Sequence, residues 1–226
     1  MVLIAKELFH YEKDYIKYYI NIPKLYYKEN NENNYKENEM IESINQLIAE
    51  DIMTFMDVVE DSYNMISEEY IHISSLTEFQ VGYLSKDIMS LAIEFSQLAK
   101  FYDMSYLKGY NYDFKLKKEI TLKDLFKENV DYIKILKEYI LVQVKTILME
   151  LKDYEEEFLC HLSEDDICLN EENTFHFTYE YLILPFPSYE ISQEIINLIE
   201  IKIPFNKIYN YLDEYAIKNI VKKIIL

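Results

Sequence analysis

The sequence predicts an α+β fold: antiparallel sheet(s) with helices packed on one face, in two layers. Three observations carry it. From Ile41 to Val59 the apolar residues recur every three or four positions, the period of one helix face. Elsewhere apolar residues alternate with polar ones, as in Met89, Leu91, Ile93 and Phe95, the period of a half-buried strand. Strand-like and helix-like stretches also come in separate runs rather than in βαβ order, which argues against a doubly wound parallel sheet.

Element by element, residues 2–27 read as extended, with Tyr15, Tyr19 and Ile20 leading to Ile22-Pro23 and Leu25-Tyr26-Tyr27. The Asn-rich stretch 28–39 has no apolar period and reads as a solvated loop. A helix follows over about 40–61, with Ile41, Ile44, Ile48, Ile52, Phe55 and Val59 inward. Ile71 and Ile73, then Phe79 and Val81, predict a strand, and Gly82 to Asp87 a turn into the strand of Met89 to Phe95. Tyr106, Tyr110, Tyr112, Phe114 and Leu116 mark a third strand.

Thr121 and Asp124 set a hydroxyl and a carboxylate three residues apart, as at a helix N-terminus whose backbone N–H groups need acceptors, so a helix is expected to begin near Leu122. A longer helix over about 130–152 is carried by Tyr132, Leu136, Tyr139, Ile140, Ile147 and Leu151. Phe175, Phe177, Tyr179, Tyr181 and Ile183 then alternate with His176, Thr178 and Glu180, which predicts one strand with a solvated His176, stopped by Leu184-Pro-Phe-Pro187. Ile199, Ile201 and Ile203 form another strand. Pro204 suits a first helical turn, and two helices follow, from about 205 and from Asp213 to Leu226.

Composition narrows function by exclusion. The 226 residues carry 23 basic and 41 acidic side chains, a net charge of −18, and every basic residue is lysine. Without arginine forks and with a strongly negative field, nucleic acid is not an expected partner. No apolar run approaches the roughly 18–20 residues that span a bilayer, so no membrane span is expected. Two glycines are too few for phosphate-cradling loops. The apolar start Val2 to Ala5 is too short for a secretory signal, so the chain as written is expected in the cytoplasm, with Cys160 and Cys168 as free thiols. The 23 tyrosines are read as core packing in a composition biased away from Arg, Trp, Gly and Pro.

No catalytic constellation is apparent, and an enzyme is not expected. His10, His72, His161 and His176 are scattered, with His72 and His176 on polar strand faces, and no serine sits in a Gly-x-Ser-x-Gly elbow. Cys160, His161 and Cys168 lack a fourth ligand at zinc spacing, so neither a metal nor a cofactor is expected. The concentrated feature is residues 153–172, with nine acids and no lysine, half of the net charge. It reads as a solvated loop, as a docking face for a basic partner, or as a calcium site, though Glu164-Asp-Asp166 lacks the alternating spacing of an EF-hand loop.

The stretch Asn111-Tyr-Asp-Phe-Lys-Leu-Lys-Lys-Glu-Ile-Thr-Leu-Lys-Asp-Leu-Phe-Lys127 resembles the central motif of the extracytoplasmic domain of RsiV-type anti-sigma factors: Asn-aromatic-Asp on a strand, a turn, then Leu-x-Asp-Leu-Phe. Pro187-Ser-Tyr-Glu-Ile191 and Ile201-Lys-Ile-Pro-Phe205 are similar to that family's closing strands, and Ile44-Asn45 with its helix to the companion domain that precedes them, so the likeness spans roughly 10–212. The chain departs from the pattern where Lys117 stands at the family's turn glycine and Gln97-Leu-Ala-Lys-Phe101 at a Gly-Ala-His-Gly-like block. No anchor or sigma-binding segment is visible, so an anti-sigma role is not expected.

The resemblance implies a binding or sensing module in two halves, 1–104 and 105–226, forming one compact unit. RsiV proteins bind lysozyme, a cationic protein, so a basic protein such as a lysozyme is the implied partner. Glu155, Glu156, Glu157, Glu164, Asp165 and Asp166 are then the candidate contact residues. That family is normally extracytoplasmic, in contrast to the compartment read from the N-terminus. Alternatives are a cell-wall or polysaccharide binding module, which would show a groove lined by tyrosines, and a cytoplasmic interaction protein. Sequence sets no oligomeric state.

Overall fold

The fold is described from a computed structural model over residues 1–28, 35–36, 38–65, 72–99, 102–151, 163–187 and 198–221. These divide into two compact units, Met1–Lys118 and Glu119–Leu226. The architecture is α+β, as the alternation and the helical period require.

In the first unit β1 (Val2–Lys13), β2 (Ile16–Lys28), β3 (Tyr35–Lys36), α1 (Glu39–Met65), β4 (Ile73–Leu84), β5 (Ile88–Ala99) and β6 (Tyr102–Asp113) follow in order, and the two-residue β7 (Lys118–Glu119) falls on the boundary. The sheet runs β1-β2-β4-β5-β6-β7, with β3 on β2. The long pairings are antiparallel except that of Ile16–Ile20 with Ile73–Thr77, which is parallel. That exception follows from connectivity, because α1 intervenes between β2 and β4 and carries the chain back to the same end of the sheet.

Helix α1 buries Ile41, Ile44, Ile48, Ile52, Phe55 and Val59, the stripe expected from the sequence, against Ile16, Tyr18, Ile20, Leu91, Ile93 and Phe95. Phe55 meets Phe95 edge-on at 5.3 Å, and Phe95 stacks on Tyr106 at 4.9 Å. Asp51 ties the helix to β6, accepting from Lys108 Nζ at 2.7 Å and from the Tyr110 hydroxyl at 2.8 Å. Burial, and then the bond to Asp51, hold the Tyr110 phenol far above its ordinary pKa, and burial pushes Tyr106 up to about 12. Both hydroxyls therefore stay protonated across the physiological range.

Two polar side chains stand in for strand partners where β2 leaves β4. Thr77 Oγ1 accepts from the Asn21 N–H and donates to its carbonyl, both at 2.9 Å. Further along, the Asn45 carboxamide of α1 accepts from the Leu25 N–H and donates to its carbonyl, again at 2.9 Å each. A strand backbone left unpaired near a core is costly, and each carboxamide or hydroxyl supplies both halves of a missing ladder rung.

Strand β4 departs from the expected alternation. It continues through Gly82 to Leu84, and the register slips between Val81 and Tyr83, so that Val81 faces Leu91 and Tyr83 faces Ser90. Gly82 is therefore the extra residue of a β-bulge rather than the start of a turn. The slip puts Tyr83 on the sheet face of Ser90, opposite the one that Leu91 turns to α1, where it is fully buried, and leaves Val81 exposed. Leu116, expected inward, is exposed in the turn after β6.

In the second unit, Thr121 and Asp124 cap each other as expected: the Thr121 N–H and hydroxyl donate to Asp124 Oδ2 at 2.8 and 3.0 Å. What they open is one 3-10 turn, Lys123–Leu125, which buries Leu122, Leu125 and Phe126. The α-helix α2 (Tyr132–Leu151) is separate, and its inward line is Tyr132, Leu136, Ile140, Val144 and Leu148, every fourth residue. Val144 and Leu148 are buried there, and the expected Ile147 is half-buried.

The run expected as one strand from Phe175 to Ile183 is a hairpin. β8 (His176–Phe177) pairs with Leu182 and Ile183 of β9 (Tyr181–Phe186), which pairs on its other side with β10 (Ile199–Pro204). A turn at 178–180 breaks the alternation, and His176 is accordingly buried rather than solvated. Pro185 sits inside β9, where a proline normally costs a ladder bond. Here Thr178 N–H donates to the Tyr181 carbonyl, which sets the odd residues of β9 toward β8, and β8 ends before it reaches Pro185. The missing N–H thus faces no partner strand. The free edge of β10 is met by α2, where Gln143 donates to the Lys202 carbonyl and accepts from its N–H at 3.1 and 3.2 Å. The chain closes through α3 (Phe205–Ile208) and α4 (Glu214–Asn219), the latter capped by Asp213 at the Tyr215 N–H.

Candidate functional site

Of the acidic segment, Glu155, Glu156 and Glu157, with Cys160 and His161, lie outside the described residues. Glu164, Asp165 and Asp166 form a 3-10 turn beside α2. Its geometry is fixed at the first residue: the Ser163 N–H and hydroxyl donate to Asp166 Oδ2 at 2.7 and 2.8 Å. Those bonds hold the Asp166 carboxyl below its ordinary pKa. Ile167 and Leu169, buried on either side of the exposed Cys168, anchor the turn to the unit. Asp165, Asp166, Glu171 and Glu172 face water, and Glu164 is half-buried. The result is a short anionic surface in which Asp166 is fixed by Ser163 and Asp165 stands in water beside it.

The motif Asn111-Tyr112-Asp113 is built for the fold rather than for contact. Asn111 and Asp113 are both buried; the Ser90 hydroxyl donates to Asn111 Oδ1 at 2.7 Å and the Leu116 N–H to Asp113 Oδ1 at 2.7 Å. Lys117, at the position where the resembled family has glycine, has φ of 53°, in the left-handed region that glycine favours. The departure in residue type therefore leaves the turn conformation in place.

The described histidines do not converge. His10 lies edge-on to Tyr19 and His72 to Tyr15, each at 5.3 Å. His176 is wholly buried, with Nε2 3.5 Å from Glu200 Oε1. Burial lowers its pKa to about 4, opposed by Glu200 and assisted by Lys202. Among the described residues no group of three His, Cys, Asp or Glu could hold a metal ion, and no helix is long and apolar enough to cross a membrane.

A groove of about 490 Å³ runs between β2 and α1, lined by Leu25, Tyr26, Tyr27, Asn45 and Gln46 among others. It carries tyrosines of the kind a glycan site would use, and its carboxamides also make bonds within the fold. Asn45 holds Leu25, Asn38 Oδ1 accepts from the Met40 and Ile41 N–H groups, and Gln46 donates to Glu50.

Residues 123–206 match the family described as protein of unknown function (DUF3298). No curated protein matches the chain. Among solved structures, a DUF3298 family member from Bacteroides fragilis is similar over 99% of this chain and 97% of its own, at 16% identity and a TM-score of 0.63. A DUF3298 family protein from Pseudomonas aeruginosa PAO1 is similar over 95% and 94%, at 12% identity and a TM-score of 0.59. At these identities the likeness is one of fold.

Proposed function

We propose that the chain is a non-enzymatic binding domain that engages a basic protein, of the lysozyme class by its resemblance to RsiV-type domains, through the acidic segment 153–172. The observation that carries the reading is the turn at Glu164–Asp166. Asp165 and Asp166 are exposed there, Asp166 fixed by the two Ser163 bonds, and the buried Ile167 and Leu169 seat the segment that follows. A fixed anionic patch attracts a cationic partner at long range and loses that attraction as salt screens it over a Debye length of about 10 Å at 0.1 M.

Calorimetry with a basic lysozyme at low ionic strength tests this directly. Binding is expected at low salt, weakening several-fold as salt is raised, and weakening again in the Glu164→Gln/Asp165→Asn variant. No heat of binding at low salt, or binding that ignores salt, would refute the acidic docking face. Cell fractionation places the protein: recovery with the envelope fits an extracytoplasmic partner, whereas recovery in the cytosol points to a different basic protein.

A further inference from the structure

Strand β1 is the open end of the large sheet, and among the described residues nothing pairs with its outer edge. It is exposed from Ala5 to Lys13, and Leu8, Phe9 and Tyr11 keep 64%, 43% and 47% of their surface in water. Monomeric proteins usually protect an edge of this length by shortening it, bending it or covering it. The backbone phase follows from one bond: the Lys28 N–H donates to the Met1 carbonyl, which makes Met1 and Lys28 a hydrogen-bonded pair. With the β1–β2 register this turns the odd residues of β1 toward β2. Ile4, Lys6, Leu8, His10 and Glu12 then aim their N–H and carbonyl groups outward.

We infer that β1 pairs antiparallel with β1 of a second copy about a two-fold axis at Phe9, joining the two sheets edge to edge. Only registers that set even residues opposite even residues satisfy the outward groups, which reduces the choice to a few. With the axis at Phe9, Lys6 faces Glu12 and Glu12 faces Lys6, Leu8 faces His10 on both sides, and Phe9 meets its own copy. This places opposite charges across the seam twice and closes four hydrogen-bonded pairs. An axis at Glu7 would set Glu7 against Glu7. An axis at Leu8 would set Lys6 against His10 with no ion pair. An axis at His10 would pair Glu7 with Lys13, which already binds Glu60 at 2.7 Å. The Phe9 register buries the exposed Leu8, Phe9 and Tyr11 and, being isologous, closes at two copies.

Sedimentation equilibrium of the full chain, with a charge swap, tests the register. The expected result is a reversible dimer that Lys6→Glu or Glu12→Lys alone weakens by about tenfold or more, and that the double variant Lys6→Glu/Glu12→Lys restores. Circular dichroism of each variant confirms that β1 still folds. A chain that stays monomeric to high concentration, a dimer indifferent to both single changes, or a double variant that fails to recover overturns the inference. So does open-ended association in place of a closed dimer.

Discussion

The burial of His176 has a consequence that can be measured as pH-dependent stability. Its imidazole lies wholly inside the second unit and its pKa falls from 6.5 to about 4, because burial disfavours the cation more than Glu200 supports it. Between those two values the unfolded chain holds a proton that the folded chain does not. Stability contributed by the neutral imidazole is therefore complete above pH 6.5 and falls as pH drops through the window toward 4. At 1.36 kcal/mol per unit the full loss is about 3 kcal/mol, and at pH 5 it is about 2 kcal/mol relative to pH 7.

Other carboxylates titrate over the same range, so the comparison that isolates the histidine is a double difference. Urea unfolding followed by far-ultraviolet circular dichroism is run at pH 7 and pH 5 for the native chain and for His176→Gln. Any cavity or hydrogen-bond cost of the substitution enters at both pH values and cancels. The native chain is expected to lose about 2 kcal/mol more than the variant on going from pH 7 to pH 5. Proton resonances of the His176 ring give an independent reading, with no titration expected above about pH 5. A ring that titrates near 6.5, or equal pH losses in the two chains, would refute the argument that burial outweighs Glu200.

Three further outcomes follow from local geometry. Asn45→Leu removes both partners of the Leu25 backbone and is expected to destabilise the first unit by about 2–3 kcal/mol, read as increased hydrogen exchange at the Leu25 amide. Lys117→Gly relieves a left-handed backbone that costs a residue with Cβ about 1–2 kcal/mol, partly offset by glycine's greater unfolded freedom, so a gain of about 0.5–1 kcal/mol in urea unfolding is expected. Asp124→Ala removes the acceptor of the Thr121 N–H and hydroxyl and should cost about 1 kcal/mol in the second unit, read by thermal melting.

The parts of this fold that were legible in the sequence are those whose periods run uninterrupted. All six inward positions of α1 and the inward set Met89, Leu91, Ile93 and Phe95 come straight from spacing, but the face expected in water is not exposed: Ser90 and Ala92 are buried as well, so the strand is covered on both sides. The errors sit where one residue changes the phase. The bulge at Gly82 transfers burial from Val81 to Tyr83, and the turn at 178–180 folds one apparent strand into two and takes His176 inside. Neither change alters hydrophobic content, so alternation alone is blind to both. Of the candidate site, the acid count located the Glu164–Asp166 turn. The Ser163 bonds follow the same hydroxyl-x-x-carboxylate spacing as Thr121 and Asp124, a signal that was present in the sequence but went unread inside an acidic run. The open edge of β1 was also invisible, because edge status depends on which strands pair and a strand's own residues do not state its neighbours.

The two units solve the same edge problem with the same chemistry, and that shared device explains why β1 stands apart. In the first unit the Asn45 carboxamide brackets Leu25 where β2 has lost β4; in the second the Gln143 carboxamide brackets Lys202 at the free edge of β10. A carboxamide presents one acceptor and a donor pair in a plane, the same set that a neighbouring strand would offer one residue, so one helical side chain can quench an edge without adding a strand. The device requires a helix alongside the edge. α1 lies over β2 and α2 beside β10, but among the described residues the helix-to-strand bond on β1 is from Lys13 to Glu60, between side chains at the strand's end. Among the described residues the outward backbone groups of β1 thus receive no bond from any helix of their own unit, and a second β1, matched in length and opposite in charge at Lys6 and Glu12, can supply every rung from Lys6 to Glu12 at once.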